Sequence, residues 1–299
     1  MRWTFIAKLS AALLLPGVLL AYSAGAGPSY TGPLFDVHLH QTSSLSLSDL
    51  IKVVQKAGLS RAVLLGPPAT DTNVVLAAET QNPNFVFPFG YPTDPQTNRQ
   101  VLNGDTVRLI EQQLDSKARR GIGEISLRHM SGPNVPGNNY PADGPVALQI
   151  YDLAASRKVP VTVHVEFEFS TELERGADHN RNAIIIWAHM GDGPPSLVRD
   201  ILRKHPNLYV DISSRNPYFQ RGRPIEDQTL TNSDGSLKSD WKSVFEEFAD
   251  RVLFGIDLNN DRYLLLDQLI PYYRSVLGQL TPQTAEKIAY KNAQKLLGL

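Results

Sequence analysis

The chain contains no cysteine. That excludes disulfides and a thiol-anchored lipoprotein, and it leaves only nitrogen and oxygen ligands for any metal site. Charge of one sign is not in excess either: 29 Lys and Arg stand against 30 Asp and Glu, a formal net charge of -1, with no extended basic run. Without such a run there is no electrostatic footprint for nucleic acid, and a small-molecule partner is expected. No apolar stretch is long enough for a comfortable membrane span. No internal repeat, low-complexity tract or second domain is visible, and no Gly-rich phosphate fingerprint follows the first strand pattern.

What is present begins with an export pattern. Arg2 and Lys8 precede an apolar run over 11–21, and small residues end in Ala24-Gly25-Ala26. This reads as a signal peptide over 1–26, with an uncleaved anchor as the alternative, and it places the protein in the periplasm or outside the cell. Cleavage would remove two basic residues and no acid, moving the net charge from -1 to -3, and would leave no stable membrane span.

Residues 27–299 alternate between two patterns. Short apolar runs predict strands over 35–40, 61–65, 85–89, 123–127, 159–165, 184–188, 208–212 and 252–256. Helical spacing predicts helices over 46–58, 71–80, 106–118, 146–157, 171–181, 196–204 and 241–249, then 262–277 and 282–297. Eight near-continuously apolar strands separated by helices are what a closed parallel barrel requires, so the fold class is α/β, a single-domain (β/α)8 TIM barrel. A doubly wound open sheet is the other arrangement of the same elements. Three long polar connections, over 91–105, 128–143 and 213–240, leave strand C-termini and should ring the barrel mouth.

Asp36-Val37-His38-Leu39-His40 ends the first strand. Side chains alternate faces along a strand, so His38 and His40 project together while Val37 and Leu39 point the other way. Alone, such a pair reads more readily as two solvated histidines than as a metal site. But His164 ends the fifth strand, His189 the sixth and Asp257 the eighth, so four of only seven histidines fall at strand ends on one rim. Glu124, on the fourth strand, is either an oxygen ligand or a paired core carboxylate.

These segments resemble the amidohydrolase superfamily, in particular its amidohydrolase-related branch of metal-dependent barrel hydrolases and decarboxylases. The resemblance lies in Asp36-Val37-His38-Leu39-His40, Ile186-Trp187-Ala188-His189-Met190-Gly191, Asp250-Arg251-Val252-Leu253-Phe254-Gly255-Ile256-Asp257, and the closing Asn292-Ala293 helix. It implies that His38, His40, His164 and Asp257 bind the metal, with His189 near it or polarising the substrate. Two positions depart from the pattern. Glu124 stands where many two-metal members carry a carboxylated lysine, resembling instead the glutamate of the barrel deoxyribonuclease-like branch, and Ile256 stands where the branch more often has serine.

The expected function is a metal-dependent hydrolase in which metal-activated water attacks an ester, lactone or amide carbonyl. Asp257 is the expected proton acceptor and donor, and His189 the group that polarises the carbonyl. The expected cofactor is one or two divalent ions, zinc before manganese, iron or cobalt. A decarboxylase of unsaturated or aromatic acids is the nearest alternative, and a non-catalytic binding barrel the more distant one. Arg128 and Arg215 follow strands and are candidates for holding a substrate carboxylate, although such an arginine is more often a surface or structural one. Glu166 and Glu168 read as a solvated acidic edge, with support of His164 as the alternative. Tyr218, Phe219 and Trp241 read as a pocket wall or a subunit contact, and a homo-oligomer is compatible with either.

Overall fold

A computed structural model describes residues 27–42, 44–66, 72–94, 99–116, 119–129, 137–219 and 224–299. The export segment at 1–26 lies outside the described residues, as do the predicted helix ends at 71 and 117–118 and parts of the three long connections. Among the described residues there are nine strands: β1 (Phe35–His40), β2 (Arg61–Leu65), β3 (Val86–Pro88), β4 (Ile122–His129), β5 (Asn138–Asn139), β6 (Val161–Val165), β7 (Ile185–Trp187), β8 (Leu208–Asp211) and β9 (Val252–Leu253). All neighbours pair in parallel except β5, which folds back antiparallel on the end of β4. The connection after β4 therefore starts with a short ribbon, and β4 itself runs two residues beyond its predicted end.

The strands are assigned to two sheets, β1-β2-β3 and β5-β4-β6-β7-β8-β9. Backbone hydrogen bonds join their edges. Gly90 N–H donates to Gly121 and Gly123 N–H to Gly90, each at 2.8 Å, linking β3 to β4. Val37 N–H donates to Phe254 O at 2.9 Å, Asp257 N–H to His38 O at 2.9 Å and His40 N–H to Leu258 O at 3.0 Å, linking the chain after β9 to β1. The result is the (β/α)8 TIM barrel, with β5 lying outside its wall.

Apolar side chains divide between the two faces of that wall. Leu39, Ala62, Leu64 and Val86 pack with helix residues such as Leu50, Ile51, Val54 and Ile110 in the outer layer. Phe35, Val37, Val63, Leu65, Phe87, Phe89, Ile186 and Leu253 pack together inside, with Ala293 of the closing helix. Val37 and Leu39 thus face opposite layers, contrary to simple alternation. A register shift between Asp36 and Leu39 in the β1–β2 pairing breaks the period and leaves Val37, His38 and His40 all inside.

The predicted last helix is continuous but not uniform: α-helical over Pro282–Glu286, wider over Lys287–Lys291, and α-helical again over Asn292–Leu297. Within the wider turn Ile288 O accepts from Phe254 N–H at 2.9 Å. Asn292 Nδ2 donates to Ala249 O at 2.7 Å and Val252 O at 2.8 Å, pinning this helix to the entry of β9. Asn292→Ala would leave two carbonyls without this donor in a buried setting, at a cost of about 1–3 kcal/mol. Denaturant titration should show that loss, and a change under about 0.3 kcal/mol would contradict the pinning role.

Candidate metal and catalytic site

Strand ends on one rim of the barrel bring six of the predicted side chains together. His38 Nε2 lies 3.1 Å from His40 Nε2 and 3.2 Å from Glu124 Oε2, while His40 Nε2 lies 3.3 Å from the same oxygen. Asp257 Oδ1 is 3.8 Å from His38 Nε2 and 3.6 Å from His40 Nε2. On the other side of Glu124, Oε1 is 3.0 Å from His164 Nδ1 and 3.5 Å from His189 Nε2. Glu124 therefore sits at the centre, one oxygen toward the β1 pair and the other toward His164 and His189.

What lies behind the imidazoles settles which nitrogen faces inward. His40 Nδ1 meets a carbonyl, Gly66 O, at 2.8 Å and can only donate to it. His38 Nδ1 meets Asp211 Oδ2 at 3.0 Å. His189 Nδ1 is 2.7 Å from Ser213 Oγ, whose own proton goes to Asp211, so the hydroxyl accepts from the ring. In their neutral form all three rings thus carry hydrogen on Nδ1 and turn an Nε2 lone pair toward two carboxylates. Such an array is self-repelling unless positive charge sits within it, and two Nε2 atoms 3.1 Å apart cannot both carry a proton. A divalent cation among them satisfies every lone pair, and the hydrogen bonds to Asp211, Gly66 O and Ser213 are the kind that orient metal-bound histidines. Two ligand groups meet the spacing a single ion needs, His38-His40-Asp257 and His38-Glu124-His189.

The electrostatics carry the same sign. Burial opposes charge on His38, but Glu124 and Asp211 outweigh it and lift its pKa well above the ordinary value. Burial also disfavours the Glu124 and Asp257 carboxylates. The histidines around Glu124, and Arg262 followed by the histidines around Asp257, nonetheless hold both well below the usual range. Asp36, fully buried, is pushed up to about 7 by burial, against hydrogen bonds its carboxylate accepts from His38 N–H and Ile256 N–H.

Holding these groups takes unusual backbone. His189, Met190, Gly191 and Asp192 are four consecutive residues at φ of 57°, 56°, 59° and 56°, the left-handed region. Only one of them is glycine, and a Cβ there would collide with the Trp187 ring. Ser214 and Asp257 share that conformation at φ 59° and 62°. Each non-glycine residue so held costs of order 1 kcal/mol, a strain that clusters at functional sites. Asp211 Oδ1 secures the first turn by accepting from His189 N–H at 3.1 Å and Ser213 N–H at 3.0 Å.

Asp211 was missed by sequence reasoning, although a carboxylate inside Leu208-Tyr209-Val210-Asp211-Ile212 must find a partner when buried. It reaches both His38 and the His189 turn, so Asp211→Asn is expected to weaken metal binding about 10–100-fold. Chelator competition measures that, and unchanged affinity would remove Asp211 from the site. Arg262 was also missed: Nη1 donates to Asp257 Oδ2 at 2.6 Å, where Ser214 Oγ donates at 2.5 Å. Glu166 corrects the solvated-edge reading, since it is buried with Oε1 3.2 Å from His164 Nε2, whereas Glu168 is exposed. His129, given no role from sequence, ends β4 with its ring 4.3 Å from the His164 ring.

Arg128 and Arg215 are placed differently from the six. Arg128 donates to both Glu172 oxygens, at 2.9 and 2.7 Å, pairs with Asn139 and stacks over Phe169. Arg215 is fully buried over the Trp241 ring, donates to Asp227 O at 3.2 Å and lies 3.9 Å from Asp192. Phe219 and Trp241 are buried within the chain, and Tyr218 is partly exposed.

Fold and site together define a parallel barrel with a histidine and carboxylate cluster at its strand ends. The profile of the amidohydrolase family matches residues 38–299, and the chain belongs to that family. Among curated proteins no sequence matches significantly. Solved structures share the fold. An uncharacterized TIM-barrel protein from Bordetella bronchiseptica is similar at 16% identity and TM-score 0.63, over 85% of this chain and 83% of that one. A probable 2-pyrone-4,6-dicarboxylic acid hydrolase from Acinetobacter baumannii, with citric acid bound, gives 14% identity and TM-score 0.61 over 90% of this chain and 100% of its own. A 2,6-dihydroxybenzoate decarboxylase from Rhizobium gives 14% identity and TM-score 0.56 over 90% and 99%.

Proposed function

We propose that the protein is a metal-dependent hydrolase acting on a small molecule with an ester, lactone or amide carbonyl. The observation that carries this reading is the set of inward Nε2 lone pairs on His38, His40 and His189 beside Glu124 and Asp257. The proposed ligands, for one or two ions, are His38, His40, Asp257 and Glu124, which fall in the two ligand-spaced groups, and His164, whose Nδ1 lies 3.0 Å from Glu124 Oε1; His189 completes the second group and is the residue proposed to act on the substrate. Imidazole with carboxylate favours zinc, with manganese, iron and cobalt as alternatives. A bound divalent ion supplies Lewis acidity, which lowers the pKa of water and polarises a carbonyl oxygen.

The chain's own residues do the rest. Asp257 takes a proton from the attacking water and returns it to the leaving oxygen or nitrogen. Arg262, Ser214 and Asn259 fix its carboxylate in place. His189 presents a lone pair at Nε2 in its neutral form, so it stabilises the developing oxyanion only after taking a proton there, as an imidazolium. Arg128 and Arg215 enter as candidates for substrate contact only if their present partners release them. Residues 1–26 are proposed to direct export to the periplasm or medium, which N-terminal sequencing of the mature protein checks. No described helix is long and apolar enough to cross a membrane.

The test is turnover of a panel of p-nitrophenyl esters, γ- and δ-lactones and N-acyl amides in water enriched in oxygen-18. One labelled oxygen in the product carboxylate supports hydrolysis. Release of carbon dioxide from an aromatic or unsaturated acid, without label in the organic product, would replace this reading with the decarboxylase.

A further inference from the structure

Arg262 is built unlike the two arginines just described. It lies in a short 3-10 turn, Asn260–Leu265, that follows Asp257 and is tied to the connection after β1 by Ser44 Oγ donating to Asp261 at 2.5 Å. Its guanidinium lies over the Phe219 ring, 4.0 Å from the centroid, which holds the plane in one orientation. Only Nη1 is engaged, donating to Asp257 Oδ2 at 2.6 Å and Asp257 O at 2.9 Å. Nε and Nη2 make no hydrogen bond among the described residues, and the side chain is 25% exposed. Arg128, by contrast, spends Nε and Nη2 on Glu172, and Arg215 is sealed beneath the surface.

An arginine whose plane is fixed and whose remaining N–H groups are unspent matches the two oxygens of a carboxylate, which a lysine or a lone N–H cannot do. Its place beside Asp257 is at the edge of the proposed metal site. Asp257 cannot consume the whole fork, because its carboxylate is already shared with Ser214 and Asn259.

We propose that Arg262, on its Phe219 platform, is the receptor for a carboxylate on the substrate, so that the molecule turned over carries an anionic group a few ångströms from its reacting carbonyl. This rests on the hydrolase reading for the identity of the reaction, but not for the binding itself. Arg262 holds the substrate through a group that does not react, and it is better placed for this than Arg128, whose Nε and Nη2 are spent on Glu172, or Arg215, which is fully buried.

Calorimetric titration with benzoate, and with methyl benzoate as the neutral control, tests it on the full barrel at its native metal content. Benzoate is expected to bind at least tenfold more tightly than the ester. Arg262→Gln should lose tenfold or more of the benzoate affinity while metal content stays unchanged, and Arg262→Lys should recover only part of it. With a turned-over substrate in hand, Arg262→Gln should raise KM more than it lowers kcat. Equal benzoate binding by native and Arg262→Gln protein would overturn the proposal, and so would loss of metal from both variants, which would make Arg262 a support for Asp257 alone. A native protein that holds no metal would defeat the hydrolase reading, yet the benzoate comparison would still decide the role of Arg262.

Discussion

Replacing Asp257 with asparagine is expected to lower kcat/KM by about 10²–10⁴-fold while the barrel stays folded, the range that loss of a positioned acid–base group produces. The amide keeps the shape but loses the charge. Oδ2 of Asp257 accepts from both Arg262 and Ser214, and Oδ1 from Asn259. An asparagine turns one accepting edge into a donor, so at least one of these partners is left facing N–H, at a cost of about 1–3 kcal/mol. Steady-state kinetics with a substrate from the ester and lactone panel, together with a thermal melt, separates the two effects. Activity within threefold of native would remove Asp257 from the chemistry and bring the non-catalytic barrel forward.

His38→Ala should have the largest effect on the molecule as a whole. The ring is fully buried, its Nε2 sits within 3.2 Å of both His40 and Glu124, and its Nδ1 is held by Asp211 at 3.0 Å. Truncation removes a proposed ligand and also strips the buried Asp211 carboxylate of a partner. Breaking one side of a buried pair of this kind costs about 3–5 kcal/mol. The expected outcome is loss of the metal and of activity, with a lower unfolding midpoint in denaturant. A variant with native metal content and native stability would show that the convergence at His38 is incidental.

How far these features can be read from the residues differs from element to element. β1 and β2 match their predicted bounds; Gln41 ends the first, and Ser60 and Gly66 flank the second, because a buried strand that meets a polar or glycine residue has little freedom at that end. The Leu47–Lys56 helix follows from its spacing, its Ser46 cap and the glycine after it, which adopts φ 102°. His38, His40, His164, His189 and Asp257 stand out because histidine is scarce in this chain and each falls at a strand end. The partners of Asp211 cannot be read in one dimension, since His38 lies 173 residues away and His189 22 residues away. The register shift in β1 is equally hidden: period-two alternation puts Val37 with Leu39, and only the closing bonds to Phe254 and Leu258 show why the strand departs from it. Arg262 opens the helix predicted over 262–277, whereas the chain there makes a 3-10 turn that sets it against Asp257.

Elemental analysis of the purified mature protein addresses the central claim most directly, with His40→Ala as the companion variant because its outer partner is a backbone carbonyl and no charge is stranded. At least one tightly bound divalent ion per chain in the native protein, reduced to a small fraction in His40→Ala with the fold retained, is the predicted result. A native protein that holds no stoichiometric metal, even after incubation with zinc or manganese and gel filtration, would contradict the account.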